Sequence, residues 1–334
     1  MTEPPHVPAA STERWQSAAP GAPLLRVETP LPAPGPGEVL LRVAACGLNF
    51  ADTLLLAGRY QSRPEPPIVP GMEMAGRVER TGPGVAGPEP GARVAVHAGA
   101  GGLARHAVVP AALCRTLPEG LDMAQAAAFQ VVYGTAHLAL ARRARLAPGE
   151  RLAVTGAAGG TGLAAVELGA LMGAEVIAVA RGAAKLETAR AAGARHVLDA
   201  ELPDLRERLK ALGGIDVGVD TVGGPLWEAL FRAARPEGRL LPLGFAGGDV
   251  PQIRANHLMV KNLSVIGFNL GAYREIAPEA LAESLGQVMD WLVAGRLSLR
   301  IGARFGFEEA EAALQALTAR SVAGKIVVIV DDTI

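Results

Sequence analysis

TGAAGGTG, residues 155–162, is the stretch on which the reading of this chain turns. It follows an apolar run at 151–154 and opens an alanine-rich segment, 163–172, of helical character. A loop of small residues between a strand and a helix lets backbone N–H groups approach a pyrophosphate, and the helix N-terminus adds favourable partial charge. The spacing is Ala157-x-Gly159-x-x-Gly162, so alanine stands where the usual fingerprint has its first glycine. In a chain with 41 glycines the pattern alone is weak. Its flanks give it weight, because a second apolar run, 175–180, begins after Gly173. The motif therefore predicts a dinucleotide-binding βαβ unit.

Around that unit, 334 residues leave room for a second domain with its own core. From about Tyr133 helical stretches alternate with strands at 152–154, 176–180, 197–198, 216–220 and 239–243, the rhythm of a parallel sheet with helices on both faces. The run 263–267 would close that sheet. Up to about Pro118 the style differs: short β-like runs at 38–44, 74–78, 92–96 and 106–109 are punctuated by Gly/Pro turns, as in a small β-barrel. Helices at about 278–294 and 307–319 and a last strand at 325–330 form a segment too short to fold alone, so it is expected to pack back on the N-terminal domain. The fold class is α/β, with domains at 1–132 plus 272–334 and at 133–271.

Half of the residues are hydrophobic and the net charge is −1, which gives no footprint for nucleic acid or an acidic membrane surface. Cys46 and Cys114 form no disulfide framework and suit a reducing, cytoplasmic setting. The polar, proline-rich start lacks a signal core and reads as a frayed extension over residues 1–20. The uncharged run 123–141 is long enough to suggest a membrane span, yet it holds Gln125, Gln130, Tyr133, Thr135 and His137, so a buried helix is expected.

Several motifs in one order resemble the zinc-independent medium-chain dehydrogenase/reductases, specifically the NADPH:quinone oxidoreductases. They are Pro34-Gly-Pro-Gly-Glu-Val39, Gly47-Leu-Asn-Phe-Ala-Asp52, Pro70-Gly-Met-Glu-Met-Ala-Gly76, Ala124-Gln-Ala-Ala-Ala-Phe129, Tyr133-Gly-Thr135, the glycine loop and Gly324-Lys325. The resemblance covers the chain from about Leu25. It implies a GroES-like β-barrel catalytic domain plus a Rossmann domain, with the active site in the cleft between them. Zinc-dependent relatives carry Cys where this chain has Asn49 and His where it has Met72, and no Cys, His or carboxylate stands near Gln130. Amide and thioether groups do not make a catalytic zinc site, so no metal is expected.

For the cofactor, Ala158, Gly159, Gly160, Thr161 and Gly162 would cradle the phosphates. The second strand ends without the acid that accepts from a ribose 2′-hydroxyl, while Arg181 and Lys185 offer charge for a 2′-phosphate, which favours NADPH. A Tyr that many relatives use near the third strand is absent from Val197-Leu198-Asp199-Ala200. By resemblance, Thr135, Gly244, Phe245, Phe268 and Asn269 would lie near the nicotinamide end, and Arg320 and Lys325 would reach the phosphates. The two phenylalanines have core packing as their alternative role.

With no flavin motif, the reaction implied is direct hydride transfer to a quinone or other α,β-unsaturated carbonyl. Asn49, Asp52, Tyr60 and Gln61 resemble the family's substrate set. An Asn amide can donate to a carbonyl or a cofactor hydroxyl, and a Tyr phenol can donate a proton. Asp52 is either part of that set or an acid in the first turn of a helix; Glu73 reads as a supporting carboxylate. Alternatives are an enoyl-thioester reductase, for which Arg59 and Arg63 would offer a basic path, and a non-catalytic, crystallin-like NADPH-binding protein. Paired sheet edges at 263–267 would make a homodimer.

Overall fold

Arg151–Thr155 is the strand that the glycine loop requires, in a computed structural model that describes residues 10–334. With Glu175–Ala180, His196–Asp199, Ile215–Asp220, Ala234–Pro242 and Ser264–Val265 it builds a six-stranded sheet. Counted along the chain, the strand order is 3-2-1-4-5-6, and the paired strands run parallel. This is the doubly wound order, whose reversal between strands one and four opens a ligand crevice at their carboxyl ends. The second strand reads as an unbroken apolar run because both of its faces are covered: Val176 to Ala180 are at most 4% exposed. Ala153, Ile177 and Val179 pack with Trp227, Leu230 and Phe231 in one core. The closing strand is shorter than the expected 263–267. Only Ser264–Val265 pairs as a strand, with Ile266 N–H still donating to the Leu240 carbonyl at 2.8 Å.

The chain divides into two compact units. The first holds residues up to Gln130 with Ala303–Ser321 and Ile326–Ile334; the second holds Val131–Gly302 with Val322–Lys325. The expected boundary at 272 is therefore corrected: residues 272–302 belong with the parallel sheet. Leu270 and Tyr273 cluster with Leu138. Helix Pro278–Val293 sets Ser284 Oγ 2.8 Å from His137 Nδ1 and Trp291 edge-on to the same imidazole. These apolar and ring contacts outweigh the sequence distance. The uncharged run at 123–141 is buried but not one helix. It breaks into Met123–Ala126, Gln130–His137 and a π-helical turn, Leu138–Ala144.

In the first unit, the long strand Glu38–Leu48 is central, pairing antiparallel with Glu73–Thr81, His106–Pro110 and Lys325–Ile329. Arg93–His97, Cys114–Thr116 and Ile301–Gly306 complete the seven-stranded path. The start of the chain departs from the frayed extension expected there. Residues 1–9 of that extension lie outside the described residues, but Ser11–Ser17 forms an antiparallel pair with Leu24–Pro30. Trp15 fixes it: its ring is 8% exposed and its Nε1–H donates to the Phe307 carbonyl at 2.8 Å. Among the described residues, no helix is long and apolar enough to cross a membrane.

Candidate active site

Thr155 and Asp220 end the first and fourth strands, where the sheet order reverses, and both are fully buried. The Thr155 hydroxyl donates to Asp220 Oδ1, and the Asp220 carboxylate also accepts from Val222 and Gly223 N–H at 3.0 and 2.9 Å. Burial pushes the Asp220 carboxyl above its usual range. This lock fixes the crevice floor, and the aspartate at the end of an apolar strand was its only sign in the sequence.

Gly156 follows with φ +62°, and a Cβ there would lie 2.2 Å from Thr221 Oγ1. The fingerprint's first glycine is therefore displaced by one position rather than lost to Ala157. Gly162 cannot carry a side chain either, since a Cβ would meet the Gly156 carbonyl oxygen at 2.1 Å. Gly159 is different: it is exposed, and the nearest atom to a built Cβ is 3.4 Å away, leaving room for a ligand to approach the backbone. Helix Gly160–Leu171 begins there, and its first amides have no intrahelical acceptor. The loop thus fits a dinucleotide pyrophosphate.

Lys325 joins this loop. Gly324 N–H donates to the Ala158 carbonyl at 2.8 Å, and Gly159 and Gly324 form a parallel bridge. The Lys325 stem crosses Gly160 so closely that a Cβ on Gly160 would be 3.1 Å from Lys325 Cδ. Lys325 is 4% exposed, a buried cation two bonds beyond that carbon. Gly244 and Phe245 follow the fifth strand, and Leu243 N–H donates to the Asp220 carbonyl at 2.7 Å, which draws this loop to the same sheet end. Phe245 is 39% exposed, whereas Phe268 rests on Tyr273 with ring centres 5.3 Å apart, a packing position. Asn269 Oδ1 accepts from Ala272 N–H at 3.3 Å, and Thr135 is half-buried on helix Gln130–His137.

After the second strand, Arg181 is exposed and Lys185 is partly buried at the start of helix Ala183–Ala191. Acids do stand close by: Glu201 is 4.0 Å from Arg181, and Asp199 accepts from Gly182 N–H at 3.1 Å. Asp199 ends the third strand and Glu201 follows it, so the end of the second strand by itself does not reveal them. Arg320 is exposed in the first unit, with φ +53°.

Asn49 in the first unit precedes the short helix Phe50–Leu56 and is 7% exposed. Its Nδ2 donates to Glu73 Oε1 at 3.0 Å and to the Gly47 carbonyl at 3.3 Å. Both partners are oxygens that accept, which orients the amide. Asp52 is fully buried: Oδ2 accepts from Asn49 N–H and Oδ1 from Gly71 N–H, each at 2.8 Å. Tyr60 lies half-buried against Leu55, Ile68 and Met72, and Gln61 is exposed. At the positions where relatives hold zinc, Met72 is a packed core thioether and Asn49 is committed to Glu73. This donor set does not fit a catalytic zinc ion. Among the described residues no three His, Cys, Asp or Glu side chains group as ligands.

The comparisons agree with these two units. The family model for the "Alcohol dehydrogenase GroES-like domain" matches residues 35–119, and the one for "Zinc-binding dehydrogenase" matches 160–286. A quinone oxidoreductase-like protein 2 homolog from Nematostella vectensis is 37% identical over 300 residues, 88% of this chain and 82% of that protein. The quinone oxidoreductase of Thermus thermophilus, solved also in complex with NADPH, is 38% identical with a TM-score of 0.85, covering 95% of this chain and 100% of that one. The Escherichia coli quinone oxidoreductase in complex with NADPH is 27% identical with a TM-score of 0.86, covering 96% and 100%. On this sequence, fold and donor set, the chain belongs to the zinc-independent quinone oxidoreductase family of the medium-chain dehydrogenase/reductases.

Proposed function

We propose that this protein is an NADPH-dependent oxidoreductase that reduces a quinone or another α,β-unsaturated carbonyl without zinc. The observation that carries the reading is Lys325, a buried cation laid over Gly160 where helix amides lack acceptors. Together they suit a pyrophosphate. Arg181 and Lys185 would take the 2′-phosphate, with Glu201 as a weak, exposed competitor for Arg181. Bound NADPH supplies the hydride. Asn49 spends both amide protons on Glu73 and Gly47, so it is not the site's proton donor. Both Asp52 oxygens hold backbone amides, which removes it from proton transfer. Tyr60 is left as the proton donor of the three.

An assay of NADPH oxidation against a quinone, an alkenal and an enoyl thioester, run after dialysis against a chelator, tests this. Turnover with the quinone or the alkenal, undiminished by chelation, is expected. Activity confined to the thioester would favour the enoyl reductase, whose path would use the exposed Arg59 and Arg63. NADPH binding with no turnover would leave the non-catalytic reading, and loss on chelation restored by zinc would overturn the metal-free one.

The same reading makes the protein a cytoplasmic homodimer joined through the Ser264–Val265 edge. Met259 and Val260, on the helix Ala255–Lys261 leading into that edge, are 74% and 76% exposed. An open edge beside bare apolar side chains is a surface that natural proteins cover. Light scattering at micromolar concentration should give a dimer, and Met259→Asp with Val260→Asp should give a monomer. A wild-type monomer would refute the arrangement.

A further inference from the structure

Glu167 sits about two turns into the helix Gly160–Leu171 that opens from the glycine loop. Its carboxylate collects three donors. The Tyr133 hydroxyl donates to Oε2, and Ser298 donates to Oε1 through both its backbone N–H, at 2.6 Å, and its hydroxyl, at 2.7 Å. Tyr133 is 3% exposed and accepts in turn from Leu299 N–H. Burial and the adjacent Glu167 charge push its phenol well above the usual range, so it remains a donor. Leu299 is held at φ +40°, a left-handed conformation that leucine adopts only where its surroundings impose it.

The chain then passes directly to the nucleotide loop. The Arg300 carbonyl accepts from Lys325 N–H at 2.9 Å, and Gly324 N–H donates to Ala158 at 2.8 Å. Gly324 has φ +95°, and a Cβ on it would strike the Arg300 oxygen at 2.5 Å, so residues 300 and 324 fit in one register only. Displacing Ser298 must displace Arg300, and with it the backbone from which the Lys325 stem crosses Gly160.

We infer that Glu167, with Tyr133 and Ser298, is a positioning residue for Lys325, clamping the segment that holds this lysine over the pyrophosphate loop. The inference rests on the NADPH reading above. It differs from general packing because the clamp touches cofactor affinity through one residue. Lys325 addresses the pyrophosphate common to NADPH and NADH, so the clamp is blind to the 2′-phosphate.

The test is a double-mutant cycle on nucleotide affinity, measured by calorimetry with NADPH and NADH. Glu167→Gln keeps the side-chain shape but puts an amide N–H₂ where a carboxylate oxygen accepted. In the otherwise wild-type protein it should weaken both nucleotides by the same factor, roughly five- to tenfold. In a Lys325→Ala background it should weaken them less than about twofold, because the residue it positions is gone. Equal losses in both backgrounds, or none in the first, would overturn the clamp. Ser298→Ala removes one of three donors and supplies the same cycle should Glu167→Gln not fold, with the same two criteria. A wild-type protein that binds neither nucleotide would overturn the cofactor reading itself, a result distinct from a failed cycle.

Discussion

Replacing Tyr60 with phenylalanine is expected to lower turnover of an enal or enone by on the order of 10²–10⁴, the loss typical of a general acid. NADPH affinity should stay at the wild-type value. The other two candidates for proton delivery are committed elsewhere. Asn49 gives its amide protons to Glu73 and Gly47, and Asp52 accepts backbone amides on both oxygens. Tyr60 lies half-buried on Leu55, Ile68 and Met72, so removing one oxygen leaves the ring and its packing in place. A near-isosteric change of that kind costs less than about 1.5 kcal/mol. The two roles therefore separate cleanly by magnitude. A quinone needs less help with its proton, so its defect should be smaller than that of the enone. Wild-type steady-state rates for Tyr60→Phe on every acceptor would reduce the tyrosine to a shaping role.

The parallel sheet was legible because its central strands, Arg151–Thr155 and Glu175–Ala180, are buried and written as apolar runs, each followed within two residues by glycine. What escaped the sequence was decided by partners far away in the chain. Trp15 turns a polar start into a strand by donating to Phe307, a contact between residues 292 apart. Residues 272–302 changed units because Leu285 and Trp291 meet Gly134 and His137, which no local pattern foretells. The tight turn at Gly156, one residue before the fingerprint, escaped the sequence because its φ and the closeness of Thr221 are tertiary facts. In the sequence, only the resemblance points to Lys325. The bridge from Gly324 to Gly159 is what ties it to the loop.

Asp52 is bound in the fold to two backbone amides, and Asp52→Ala is expected to destabilise the fold rather than slow the chemistry alone. In the sequence, an acid three residues after Asn49 read equally as a catalytic group or as a first-turn carboxylate. In the fold it is fully buried and bridges two backbone amides, those of Asn49 and Gly71. Alanine would leave both donors buried without their acceptor, at about 1–3 kcal/mol each. Against a total stability of about 5–15 kcal/mol, that is a large fraction. The damage should spread along named contacts. Gly71 is held at φ +97°, where a Cβ would be 2.5 Å from Cys46 Sγ, and the Asp52 bond pins this turn. Glu73, two residues on, orients Asn49 at 3.0 Å. Asp52→Asn should fall between the two, because its amide oxygen can serve one N–H while its N–H₂ opposes the other. Denaturant unfolding of the three proteins should therefore rank wild type, Asp52→Asn and Asp52→Ala in falling order, with activity following the folded fraction. An Asp52→Ala protein as stable as wild type to within ~0.5 kcal/mol, yet inactive, would return this carboxylate to the chemistry, since a residue that only braces the backbone cannot be removed without cost.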